Sequence, residues 1–238
     1  MLFRSDELVM RIERAMITNR WFTRDSIVFA LKNISNQLTS GGLFSWVANY
    51  DFPNRYRVGV IMAGNIPLVG FHDFLSVLIS GNKLVAKLSS EDDVLIPFLA
   101  EKLIAIEPKF AELIELSKDR LSKDIDLVIA TGSDNSARYF EYYFSKYPRI
   151  IRKNRTSIAI LNGDESLNVL KLLGKDIFTY YGLGCRNVSK IFIPIGYELN
   201  NIFEAIIDFQ IVIDHNKYAN NYTYHRALML MEIGRAHV

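Results

Sequence analysis

The run Val58-Gly59-Val60-Ile61-Met62-Ala63 carries no polar side chain. A strand with one face in water alternates apolar and polar residues, so an unbroken apolar run ending in a turn belongs to a strand covered on both faces. Strands of that kind occur in parallel sheets. The run ends at Gly64-Asn65-Ile66-Pro67, a turn whose proline can open a helix expected over 68–79. Gly81-Asn82 then leads into a second strand, Lys83-Leu84-Val85-Ala86-Lys87, followed by a helix expected over about 93–106 and a further strand, Leu127-Val128-Ile129-Ala130. Alternating strands and helices, joined by right-handed crossovers, define an α/β fold with a parallel sheet. Ligands of such sheets bind beyond the carboxyl ends of the strands. Three polar turns are placed there, Gly64-Asn65, Lys87-Leu88-Ser89-Ser90 and Thr131-Gly132-Ser133.

Around this unit the pattern changes. Residues 6–50 read as helical, with Leu8, Ile12 and Met16 on one apolar face and Ile27, Leu31, Ile34 and Leu38 on another. Thr23-Arg24-Asp25 can cap the second helix. Residues 136–148 hold six aromatics, Tyr139, Phe140, Tyr142, Tyr143, Phe144 and Tyr147, expected to fill the core in preference to forming an acyl-chain surface. Residues 150–161 read as one or two strands leaving the first unit. A helix over 167–181 then delivers the chain to Gly182-Leu183-Gly184-Cys185-Arg186-Asn187, ahead of the strand-like Val188-Ser189-Lys190-Ile191-Phe192-Ile193-Pro194. The expected organisation is a helical segment at 1–50, an α/β domain at 51–150 and a second α/β domain at 151–231.

Cys185 is the only cysteine of 238 residues. It excludes an internal disulfide and suits a reducing compartment, so a cytoplasmic location is expected. The glycines before it let the backbone turn and leave the sulfur approachable, although a lone cysteine ordinarily serves as a small buried hydrophobe. A nucleophile pair of Cys185 with His225 is open from chain order alone. The 28 basic and 26 acidic residues, net +2, are spread along the chain, so no nucleic-acid or anionic-lipid footprint is expected. No apolar run reaches the roughly 18 residues of a membrane span. The four histidines lack metal-ligand spacing, so no metal is expected. Neither G-x-G-x-x-G nor a P-loop occurs.

Four ordered motifs carry a resemblance. Gly64-Asn65-Ile66-Pro67, then Ser80-Gly81-Asn82-Lys83-Leu84-Val85-Ala86-Lys87-Leu88-Ser89, then Thr131-Gly132-Ser133, then Gly182-Leu183-Gly184-Cys185 resemble the aldehyde dehydrogenase superfamily in sequence order and spacing. Gly184-Cys185-Arg186-Asn187-Val188-Ser189-Lys190 and the prelude with Trp21-Phe22-Thr23 are most similar to its LuxC-type acyl-CoA reductases. The resemblance implies a Rossmann-type cofactor domain with a catalytic α/β domain. It makes Cys185 the nucleophile that takes an acyl group from a thioester, and Asn65, with the Cys185 backbone N–H, the oxyanion hole. Lys87 and Ser89 are implied to reach the adenosine ribose or its phosphate, with Thr131, Gly132 and Ser133 at the cofactor phosphates. Implied partners are a fatty acyl-CoA or acyl-protein thioester and either a second copy or an acyl-transfer protein.

Two departures from the family pattern refine these expectations. The acid-forming members carry a Glu-Leu-Gly-Gly-Lys segment whose glutamate activates water. Here the corresponding stretch is Ile151-Arg152-Lys153-Asn154-Arg155-Thr156-Ser157, without a carboxylate. That favours reduction of the acyl-enzyme over acid formation, with Asp164 or Glu165 as substitute bases if their loop folds back. The family's Lys-Pro-Ser-Glu becomes Lys87-Leu88-Ser89-Ser90, which favours NADPH, with NADH as the alternative. Acid-forming aldehyde dehydrogenase and non-catalytic nucleotide-binding scaffold are the competing readings. Finally, 232–238 corresponds to codons resembling the start of a sequencing adapter, so the natural sequence is expected to stop near Met231, with part of the catalytic domain beyond it.

Overall fold

The computed structural model describes residues 6–235, and the chain divides into two units, Met1–Asn154 and Arg155–Val238. The first opens with helices α1 (Asp6–Thr18), α2 (Arg24–Gln37) and α3 (Ser40–Val47). There follow β1 (Arg57–Ile61), α4 (Phe71–Ile79), β2 (Lys83–Lys87), α5 (Leu95–Ile106), β3 (Ile114–Ser117), β4 (Leu127–Thr131), α6 (Asp134–Tyr143) and β5 (Arg149–Arg152). The five strands are parallel in the order β3-β2-β1-β4-β5. This is the Rossmann-type arrangement expected from the sequence. The middle three residues of β1, β2 and β4 are all buried, the consequence of helices on both faces. Strand β3, Ile114-Glu115-Leu116-Ser117, is half-buried throughout. As an edge strand it alternates, and so it escapes a search for continuous apolar runs.

Residues 67–70 form turns, and α4 starts at Phe71, three residues later than the proline signal at Pro67 places it. Leu68 is the cause: its φ of 59° is left-handed and cannot continue a right-handed helix. Its amide is held by the Asp92 carboxylate. The aromatic segment also departs from expectation. Phe140, Phe144 and Tyr147 pack on the core cluster of Val85, Ile125, Val128 and Ala130, whereas Tyr139, Tyr142 and Tyr143 are exposed. A single helix buries one stripe against a sheet, so only half of the aromatics find the core.

The N-terminal helices pack through Leu8, Ile12 and Ala15 on α1 and Ile27, Ala30 and Leu31 on α2, while Met16 and Ile34 are half-buried and Leu38 is exposed. Thr23 caps α2 as expected, in a reciprocal box with Ser26. Phe22 beside it is buried. Arg11 reaches Glu101 at 2.7 Å and Lys102 pairs with Glu7, tying α1 to α5.

In the second unit β6 (Ser157–Ile160) pairs in parallel with β7 (Val188–Phe192) across α7 (Leu167–Phe178), before α8 (Asn200–Ile206) and α9 (Asn216–Arg235). Its core is Leu161, Leu170, Leu173, Ile202 and Ala205. A Cβ at Gly174 would lie 2.5 Å from Phe209, whose ring stacks on Phe178 at 5.3 Å. Helix α7 stops at Phe178, short of the expected 181, because Tyr180 and Tyr181 are both left-handed. Of the 232–238 segment, 232–235 continue α9 and 236–238 lie outside the described residues. No helix among the described residues is long and apolar enough to cross a membrane.

Candidate active site

In a parallel sheet ordered β3-β2-β1-β4-β5 the connections reverse direction between β1 and β4, leaving a crevice beyond their carboxyl ends. The turns after β1, β2 and β4 bring Asn65, Lys87, Ser89, Thr131, Gly132 and Ser133 to this one edge. The β1 and β2 turns touch: a Cβ at Gly64 would lie 2.5 Å from Ser89 Oγ, so only glycine permits that approach. The half-buried Lys87 donates from Nζ to the Leu88 carbonyl at 3.3 Å, and Ser89 Oγ accepts the Glu91 N–H at 3.2 Å. Ser133 caps α6, its Oγ accepting the Ser136 N–H at 3.2 Å. Asp134 already offers negative charge to the first turn of α6, so an anion at that helix end meets a like charge.

The same edge carries residues that the motifs did not single out. Arg152, at the end of β5, donates from Nη1 to both oxygens of Asp73 at 2.6 and 2.7 Å, tying β5 to the first turn of α4. Asp73 is buried, and this pair neutralises it. Asp92 is 4% exposed and its Oδ2 accepts the Leu68 N–H at 2.8 Å. Burial pushes its pKa up to about 6 against the opposing pull of the Leu68 hydrogen bond. In sequence Asp92 is one of several small polar residues between a strand and a helix, and nothing local marks it as buried.

Cys185 lies in the second unit, exposed and free, on the turn between α7 and β7. This removes the buried-hydrophobe reading. Asn187 holds the turn from both sides. Its Oδ1 accepts the Gly184 N–H at 2.7 Å, and its Nδ2 donates to the Asp176 carbonyl near the end of α7 at 2.8 Å. Ser157 Oγ donates to the Cys185 carbonyl at 3.2 Å, fixing the turn to β6. Gly182, at φ 75°, completes three consecutive left-handed residues that reverse the chain. The substitute base at Glu165 is engaged locally: its carboxylate accepts the Asn162 and Gly163 N–H groups at 2.6 and 3.1 Å, which lowers its pKa. Asp164 is exposed on the same turn. The exposed His225 has the ring of its neighbour Tyr224 edge-on at 5.3 Å. Among the described residues no group of three or more His, Cys, Asp or Glu could hold a metal ion.

Solved structures share this fold. A putative aldehyde dehydrogenase from Burkholderia cenocepacia aligns at TM-score 0.54 and 20% identity, over 63% of this chain and 34% of its own. The PutA putative aldehyde dehydrogenase from Anabaena variabilis aligns at TM-score 0.61 and 17% identity, over 84% and 50%. A mutant of aldehyde dehydrogenase C from Pseudomonas syringae, in complex with NAD+ and octanal, aligns at TM-score 0.56 and 16% identity, over 69% and 38%. The architecture is therefore that of the aldehyde dehydrogenases, of which the chain spans a third to a half of the length. Within that fold the chain belongs to the LuxC acyl-CoA reductase family, whose model matches residues 49–204, well over half of it. No curated protein matches the sequence.

Proposed function

We propose that the protein acts in the reduction of a long-chain fatty acyl thioester, carried on coenzyme A or on a protein, to the aldehyde with NADPH. The observation that carries this reading is the exposed thiol of Cys185 on a turn braced by Asn187 and Ser157, within a chain of the LuxC family. The thiolate attacks the thioester carbonyl, the new C–S bond forms, and the carrier thiolate leaves and takes up a proton. Asn65 donates a hydrogen bond to the oxyanion that develops in that step.

The residues of the first unit fit a nicotinamide dinucleotide. The crevice at the β1/β4 reversal is where such folds bind it, and Lys87 ends β2, where an acidic residue in dinucleotide-binding folds meets the ribose 2′-hydroxyl. The family keeps a lysine at this position; what favours NADPH is Ser90 in place of the family's glutamate, which removes a carboxylate that would repel a 2′-phosphate, while Ser89 and the Thr131-Gly132-Ser133 turn line the same edge. The chemistry contributed by bound NADPH is hydride donation to the acyl carbon. The chain's part is to keep water from winning. The family's glutamate is absent, the Arg152 guanidinium cannot act as a base and Glu165 is held by its own turn, which leaves the exposed Asp164 as the one substitute carboxylate on that turn.

Incubation with radiolabelled acyl-CoA, followed by mass analysis, should show an acyl adduct on Cys185 that persists until NADPH releases aldehyde. Cys185→Ser should not be labelled. Equal labelling of that variant would refute the nucleophile, and rapid free fatty acid with little aldehyde under saturating NADPH would favour the acid-forming reading.

A further inference from the structure

The 64–68 loop is gripped at both ends by buried polar side chains distant in sequence. At its start Asn19, 5% exposed in the turn between α1 and α2, donates from Nδ2 to the Gly64 carbonyl at 3.2 Å. The other end of the same amide is fixed, since Asn19 Oδ1 accepts the Trp21 N–H at 2.9 Å. At the end of the loop Asp92 holds the amide of Leu68, a residue with φ 59° that would leave this conformation if released. Gly64 is also pressed against Ser89 and the Asp92 backbone, where a Cβ would approach to 2.5 and 3.0 Å. Three residues, Asn65, Ile66 and Pro67, remain between the two grips.

Packing alone does not call for this arrangement. Apolar side chains at positions 19 and 92 would avoid the cost of burying an amide and a carboxyl group, whose partners are backbone groups, for Asp92 the N–H groups of Leu68 and Leu95. We propose that Asn19 and Asp92 are positioning residues that fix the Asn65 turn for acyl transfer, which makes the N-terminal helical segment a working part of the site. The inference rests on the reading of Asn65 as the oxyanion donor. A donor of that kind acts through where it is held, and displacement by about 1 Å can cost roughly a hundredfold in rate.

Three variants test this. Asn19→Asp keeps the acceptor for Trp21 but replaces the donor to Gly64 with a carboxylate oxygen. Asp92→Ala removes the acceptor for Leu68, and Asp92→Asn retains one. For each, and for Asn65→Ala, three quantities are measured: the rate of Cys185 acylation by acyl-CoA, the Kd for NADPH, and amide hydrogen exchange across 62–70. Asn19→Asp and Asp92→Ala should slow acylation about tenfold or more, speed exchange in the loop and leave the Kd within about twofold. Asp92→Asn should recover the rate lost in Asp92→Ala. If Asn65→Ala is slow while Asn19→Asp and Asp92→Ala react at the wild-type rate, the positioning role is refuted. It is equally refuted if the loop exchanges no faster in either variant. An Asn65→Ala variant acylating at the wild-type rate would instead overturn the oxyanion assignment on which the inference rests.

Discussion

Replacing Asp92 by asparagine removes a buried ionisation from the loop after β2, where it holds the β1 turn, while keeping an acceptor for the Leu68 N–H. The carboxyl group of Asp92 is raised from its ordinary 3.8 to about 6, chiefly by burial, with the neighbouring charge of Asp93 adding to the rise and the Leu68 hydrogen bond opposing it. Because the folded pKa lies above the unfolded one, the native state holds a proton that the unfolded chain has lost between those values. Its contribution to stability is complete below about pH 3.8 and disappears as pH rises through about 6. The loss across the interval is about 3 kcal/mol, from 1.36 kcal/mol for each pKa unit. Urea unfolding of the wild type and Asp92→Asn, at several pH values between about 3.5 and 7.5, isolates this contribution, since every other carboxylate is common to both proteins. The difference in ΔG should shift by about 2–3 kcal/mol in favour of the variant as pH rises. A constant difference across the range would show that Asp92 is ionised in the folded protein with no penalty, and the argument from its burial would be wrong.

Asn65→Ala should slow acylation of Cys185 by about two to three orders of magnitude, with little change in NADPH affinity, as measured by rapid-quench labelling. A large loss of cofactor affinity with normal acylation would assign Asn65 to the nucleotide instead. Arg152→Ala leaves the buried Asp73 carboxylate unpaired and should destabilise the first unit by about 2 kcal/mol in chemical denaturation, less than for a fully buried pair because Arg152 is one-third exposed. Unchanged stability would mean that water replaces the guanidinium. Ile151→Glu should raise the yield of free fatty acid at the expense of aldehyde, together with some loss of stability because Ile151 packs on the core cluster. Arg152 is the poorer place for that glutamate, since a carboxylate there would face Asp73. An unchanged product ratio in a folded Ile151→Glu variant would refute the account of the missing base.

The apolar runs at β1, β2 and β4 were readable from sequence because burial on both faces leaves a local mark: every side chain in the run must avoid water. The turns after those strands were readable for a related reason, as their polar residues and glycines stand out against apolar neighbours. The thiol turn at Cys185 could likewise be placed between a helix and a strand, because glycine spacing and a β-rich run act over a few residues. Other features depended on partners far along the chain. Leu68 takes a left-handed conformation because a carboxylate 24 residues away accepts its amide, so the proline signal at Pro67 places the start of α4 too early. The tyrosines at 139, 142 and 143 are exposed because a helix offers the sheet one stripe, and which stripe is settled only when the sheet is present. Asn19 and Asp92 look like ordinary turn residues in sequence. They become a grip on the Asn65 turn because folding brings segments 45 and 24 residues apart within hydrogen-bonding distance and removes the water that would otherwise satisfy them.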